Sequence, residues 1–271
     1  MRRILLTGAA GKVGSLLRVL LQPVYDLVLT DIEPPADLGA SETFIAADLA
    51  DAAAIERAAG GVDGIVHLGG QSVEAPWETI LRSNIVGTYN LFEAARKQGV
   101  KRVVYASSNH AVGFYPRSET IGTAVLPLPD TRYGVSKAFG EALGALYAYK
   151  YGVGVLCIRI GNVSEAPADE RRLAIWLKPE DLVSLIRIGL EREDLLYEVV
   201  YGMSDNARRW WDNSRASELG YQPEGRSGDF ASVALAAQAG LPADEIGDRF
   251  QGGSFCSEEF QGPLSRIVPK I

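Results

Sequence analysis

Eight residues near the amino terminus limit what this chain can become. Thr7-Gly8-Ala9-Ala10-Gly11-Lys12-Val13-Gly14 follow the apolar run Ile4-Leu5-Leu6 directly and lead into an apolar-periodic stretch that ends at Leu21. Glycines three residues apart between a strand and a helix let the backbone turn sharply and leave the first amides of the helix uncovered. A helix start of that kind attracts anions, phosphate above all, through its free N–H groups and its dipole. Gly8, Gly11, Lys12, Val13 and Gly14 are therefore candidate contacts for a pyrophosphate. The spacing is G-x-x-G-x-x-G, a variant of the strand-turn-helix cradle, and a tight turn alone can also use glycine, so the rest of the chain has to decide.

Apolar runs at residues 3–7, 27–30, 44–47, 64–68, 102–106 and 155–160 alternate with helical patterns at 14–21, 52–59, 77–97 and 134–151. Strands that are nearly continuous in apolar residues, separated by helices, predict an α/β fold: a doubly wound parallel sheet of Rossmann type, covered on both faces. After Gly161 the pattern loosens. Residues 1–163 read as the sheet domain and 164–271 as a small C-terminal lobe interleaved with it. Within that lobe, 179–202 returns to the main sheet as a Pro-initiated helix followed by a strand at 195–201. A further helix is expected near 229–239, and Trp210-Trp211 reads as packing between lobe and sheet rather than as a sugar platform.

The formal charge is −7, from 34 acidic against 27 basic residues, which removes the usual electrostatic basis for nucleic-acid binding and favours a small-molecule partner. Two cysteines, Cys157 and Cys256, and two histidines, His67 and His110, make neither a disulfide framework nor a metal site, and none is expected. Met1-Arg2-Arg3 before Ile4-Leu5-Leu6 looks like the start of a signal peptide, but Lys12 and Arg18 interrupt the apolar stretch. No window reaches the ~18 apolar residues of a membrane span, so a cytoplasmic protein without a membrane partner is expected.

Asp31 closes the second strand 23 residues after Gly8, where a carboxylate can accept from the diol of an adenosine ribose. No Arg or Lys stands in the following Ile32-Glu33-Pro34-Pro35 to meet a 2′-phosphate, so NAD is expected over NADP. Asp48-Leu49 ends the third strand and could offer an acid and an apolar face to the adenine; Leu68-Gly69-Gly70-Gln71 ends the fourth, where small residues admit close backbone approach. Tyr133 and Lys137 are four residues apart and share one face of a helix. A phenol with a pKa of ~10 is a poor base at neutral pH, but a nearby ammonium and a cationic nicotinamide both favour the phenolate, so Lys137 is expected to pull Tyr133 down. Ala106-Ser107-Ser108 ends the preceding strand near the expected ring.

Together Gly8/Gly11/Gly14, Asp31, Asp48-Leu49, Ser107-Ser108, Tyr133-x-x-x-Lys137 and Gly220-Tyr221-Gln222-Pro223 resemble the short-chain dehydrogenase/reductase superfamily, in its extended, epimerase-like branch, across essentially the whole chain. Residues 67–74, 106–110, 210–214 and 249–255 are further similar to the uronate dehydrogenases, which oxidise hexuronic acids at C1 with NAD. That resemblance implies Tyr133 as base, Ser108 holding the reacting oxygen, and Lys137 on the nicotinamide ribose. It implies Arg171 for the substrate carboxylate, with Arg172 as an alternative, and Ser72, Asn109, His110, Asn162 and Phe255 around the sugar. Asn162 could equally face the nicotinamide, and His110 could be a structural donor. Relatives self-associate, which implies a homo-oligomer. A nucleotide-sugar epimerase or dehydratase is the rival enzyme, disfavoured by the 110 residues after Gly161 and by Asn109-His110 where a dehydratase places an acidic pair. A non-catalytic dinucleotide-binding regulator is the rival outside catalysis, and it has no need of both Tyr133 and Lys137.

Overall fold

The computed structural model describes residues 1–264. In chain order, β1 (Arg3–Thr7), α1 (Lys12–Leu21), β2 (Asp26–Asp31), β3 (Thr43–Ala46), α2 (Ala52–Ala58) and β4 (Gly64–His67) form the first half. α3 (Trp77–Ile80), a π-helical turn at Leu81–Val86 and α4 (Gly87–Lys97) follow without a break, then β5 (Arg102–Ser108), α5 (Arg132–Tyr151) and β6 (Gly154–Ile160). The remainder holds β7 (Asn162–Val163), α6 (Glu170–Ile175), β8 (Trp176–Leu177), α7 (Pro179–Glu191), β9 (Tyr197–Gly202), α8 (Ser214–Glu218), α9 (Ala231–Gln238) and α10 (Ser254–Ser257). Seven strands pair in the order β3-β2-β1-β4-β5-β6-β9, all parallel, and β7 pairs with β8 in a separate ribbon.

Alternation along β1 explains the two layers of helices. Ile4 and Leu6 point into a core shared with Leu17 and Leu21 of α1 and Leu182, Leu185 and Ile186 of α7. Leu5 points the other way, among Ile55 of α2, Leu91 and Phe92 of α4 and Tyr147 of α5. Each is fully enclosed, and truncating a leucine at such a position costs about 2–5 kcal/mol. The strand order reverses between β1 and β4, so a crevice opens at their carboxyl ends.

α5 starts at Thr131, whose hydroxyl accepts from the Gly134 amide at 3.0 Å, and ends at Gly152 with φ +72°. Its inner face is buried, while Val135, Phe139, Ala142, Leu146 and Tyr149 form an outward stripe without a single charge. Trp211 is wholly buried, stacked 4.8 Å from Tyr201, and donates to Gln251 Oε1 at 2.8 Å. No described helix is long and apolar enough to cross a membrane.

The structure departs from the expected pattern in three places. The expected continuous helix at 77–97 contains the π-helical turn, which the periodicity of apolar residues does not register. The segment 162–176, without clear periodicity, holds β7, α6 and the start of β8. The helix expected at 229–239 is a 3₁₀ turn at Ser227–Phe230 followed by α9.

His67 closes β4 with 1 % exposure, and its Nδ1 lies 2.7 Å from Thr7 Oγ1. Burial, reinforced by the positive Lys137, pushes its pKa down to about 3. The folded ring stays neutral while the unfolded one takes up a proton below its ordinary value of 6.5, so stability is complete above that pH and falls as pH drops. Stability measured by urea unfolding is expected to fall below pH 6.5 with a slope that steepens toward about 1.4 kcal/mol per pH unit near pH 5; His67→Gln should flatten that limb, and an equal slope in the variant would refute the assignment.

Candidate active site

The crevice is a cleft of about 680 Å³ lined from the carboxyl ends of β1, β2, β4, β5 and β6. At one end lies the glycine turn. A Cβ on Gly14 would fall 2.0 Å from Gly8 O, so α1 can begin this close to β1 only with glycine there. No side chain caps α1, and Gly11, Lys12, Val13 and Gly14 all face the cleft. Asp31 accepts from the Ala10 amide at 3.0 Å and from Ile32 N at 2.8 Å, which fastens the turn to the end of β2. An uncapped helix start beside a strand-end carboxylate fits a dinucleotide: amides for the pyrophosphate, Asp31 for a ribose diol.

Leu68, Gly69 and Gly70 line the middle of the cleft. Their turn is clasped by Asn84, from the π-helical segment, which accepts from Gln71 N at 2.7 Å and donates to Gln71 O and to Ser136 Oγ at 2.9 Å each. Asp48 and Leu49, expected near the adenine, do not line the cleft, and neither does the cofactor candidate Ile32. Ile32 is 65 % exposed, and Leu49 packs against Gly69 and Gly87. Asp48 is held below the usual carboxylate range by the Ala50 amide and by an ion pair with Arg82.

At the other end, Ser108, Asn109, His110, Tyr133 and Lys137 converge from the end of β5, the 3₁₀ turn Asn109–Val112 and α5. Lys137 Nζ donates to Ala106 O at 2.8 Å and stands 5.5 Å from the centre of the Tyr133 ring. Burial brings Lys137 down to about 8. Burial also pushes Tyr133 up to about 12, with the Ser108 hydroxyl offsetting part of the rise. The expectation of an acidic phenol is thus reversed in the protein alone: desolvation of the phenolate, with the Asp130 charge acting in the same direction, sets the shift.

Ser72, Asn162, Arg171, Arg172 and Phe255 close the same end. Arg172 is already paired with Asp169, which also caps α6. Arg171 is different. Its Nε donates to Gln251 O at 3.0 Å, and the Asn109 amide, oriented to satisfy its neighbours, accepts from Arg171 at 3.2 Å and donates to Ile160 O at 3.1 Å. Among the described residues no carboxylate pairs with it, and burial with the like charges of Arg117 and Arg172 lowers it to about 10.

Residues 4–177 match the family described as the NAD dependent epimerase/dehydratase family. The chain belongs to that family. It is similar to a uronate dehydrogenase of Pseudomonas putida, 44 % identical over 93 % of this chain and 95 % of that protein. A uronate dehydrogenase structure from Agrobacterium tumefaciens, solved as a variant complexed with NAD, superposes with a TM-score of 0.90 at 43 % identity, covering 95 % of this chain and 97 % of the other. A glucuronic acid dehydrogenase structure from Chromohalobacter salexigens also reaches 0.90 at 43 % identity, covering 94 % and 97 %.

Three side chains that support the site escape a reading of the sequence. Asn84 follows Arg82 and Ser83 in the helical pattern at 77–97, where spacing does not single it out. Asp130, below His110, is indistinguishable from turn chemistry in Pro129-Asp130-Thr131. Gln251, beneath Arg171, lies in a loop with no periodicity at all.

Proposed function

We propose that the chain oxidises hexuronic acids at C1 with NAD, yielding an aldarolactone, and that the buried, carboxylate-free Arg171 carries this reading. A cation desolvated at the wall of a cleft, with no carboxylate at ion-pair distance among the described residues, calls for an anionic ligand. Its planar fork suits a carboxylate, and it faces the same space as the Tyr133 phenol.

The roles follow from position. Gly8, Gly11, Lys12, Val13 and Gly14 present the pyrophosphate site, and Asp31 the ribose site; Leu68, Gly69 and Gly70 leave room for the extended cofactor. Asp48 and Leu49, outside the cleft lining itself, are assigned to an adenine that extends past its rim, and Ile32 to the cofactor beside Asp31. Bound NAD supplies the hydride acceptor and a positive nicotinamide. Lys137 holds the nicotinamide ribose and adds its charge on the same side, so both oppose the burial that keeps Tyr133 protonated. Tyr133 then takes the C1 hydroxyl proton while Ser108 holds that oxygen. Arg171 grips the carboxylate, and Ser72, Asn109, His110, Asn162 and Phe255 surround hydroxyls and ring.

Removing the phenol oxygen in Tyr133→Phe should lower kcat by about 10²–10⁴-fold, the worth of a general base, with NAD affinity nearly unchanged; NADH absorbance with glucuronate measures the first and titration calorimetry the second, and retained turnover would overturn the role. Arg171→Ala should raise the KM for uronate at least tenfold more than the KM for NAD, whereas equal effects would remove the carboxylate role.

The uncharged stripe on α5, together with exposed Leu81, Val86 and Tyr89 of the adjoining rod, is the face assigned to a second copy of the chain. Sedimentation should then give an oligomer that Leu146→Glu weakens; a monomeric parent at micromolar concentration would refute it. A cytoplasmic location belongs to the same reading.

A further inference from the structure

Beneath His110 lies a carboxylate that none of the roles above employs. We propose that Asp130 is a positioning residue that holds the His110 imidazole in the tautomer whose Nε2 accepts a hydrogen bond from a sugar hydroxyl. The identity of that donor rests on the uronate reading; the geometry does not.

The Asp130 side chain has no exposure, and its Oδ2 lies 2.7 Å from His110 Nδ1. Oδ1 accepts from the Thr131 hydroxyl at 3.0 Å, and the Asp130 amide donates to His110 O at 3.3 Å, so the two residues are tied through backbone as well as side chain. Gly113 and Gly252 make room for this carboxylate: a Cβ on either would fall 1.9 or 2.0 Å from Oδ2. The ring is held on its other sides too. Phe255 stacks on it at 4.0 Å with a 24° tilt, and Tyr133 meets it edge-on at 5.9 Å and 62°.

Polarity follows from the chemistry of the partners. A carboxylate can only accept, so Nδ1 must carry the hydrogen, and a neutral ring then presents Nε2 as an acceptor. The charge of Arg171 acts on the same carboxylate. The two side chains that adjoin the ring on the Arg171 side are already committed. Arg171 can only donate, and both ends of the Asn109 amide are engaged, with Ile160 O and with Arg171. A sugar hydroxyl entering beside this ring can place its hydrogen on Nε2, which the Asp130 contact leaves free to accept.

The chain has only two histidines, so the imidazole nitrogens can be read directly by ¹⁵N NMR of the intact protein at about pH 8, where a free imidazole is neutral, with His110→Ala identifying the ring. The expected spectrum has Nδ1 protonated and Nε2 bare for His110. In Asp130→Asn, whose carboxamide can donate as well as accept, this pattern should redistribute toward protonated Nε2. In kinetics, Asp130→Asn should raise the KM for glucuronate about tenfold while the Kd for NAD stays within about twofold; added to His110→Ala, it should change KM by less than about twofold, because its effect passes through the ring. A protonated Nε2 in the unaltered protein, or equal effects of Asp130→Asn in both backgrounds, would overturn the proposal. Absence of uronate oxidation in the unaltered chain would instead sink the functional reading, and the nitrogen spectrum would still decide the tautomer.

Discussion

Tyr133, Lys137 and Glu141 stand one turn apart on α5, and the fold drives all three into the sheet. Glu141 receives Arg159 of β6 through two bonds of 2.9 and 2.8 Å and the Ser107 hydroxyl of β5 at 2.6 Å, while Lys137 reaches the backbone of β5 at Ala106. A buried ion pair of this kind adds little net stability over an apolar pair, yet losing one partner strands the other at a cost of about 3–5 kcal/mol. Its value lies in register. The pair admits one rotation and one height of α5 against β5, and that placement brings the phenol beside Ser108 at the mouth of the cleft.

Electrostatics in the cleft share a single cause. Tyr133 is pushed up and Lys137 and Arg171 are pushed down, in each case chiefly by burial. The protein alone therefore holds groups whose charged forms are disfavoured until partners arrive. A positive nicotinamide and a carboxylate are complementary to that arrangement in sign and place, so binding and activation of the base are coupled by the same removal of water.

Much of this could be read from the chain itself, and for definite reasons. The glycine turn, Asp31, and Tyr133 with Lys137 depend on local spacing, which a sequence displays directly. The strands followed from apolar continuity, with ends shifted by only one or two residues. What escaped depends on contacts between distant segments. Asp130 matters because the 3₁₀ turn brings His110 over it, and Asn84 because a π-helical turn aims it at Gln71. The direction of the Tyr133 shift was misjudged because spacing reveals a neighbouring lysine but not the depth at which both are buried.

The helix that carries the base inward also carries Val135, Phe139, Ala142, Leu146 and Tyr149 outward. A helix is only ~10 Å across, so a neighbouring subunit pressed on that stripe would sit a helix width from the reacting phenol. On the proposed reading, quaternary structure and turnover would share one rigid rod. A tilt of the rod at its back would displace the Tyr133 phenol at its front, so a subunit contact there would constrain both faces together.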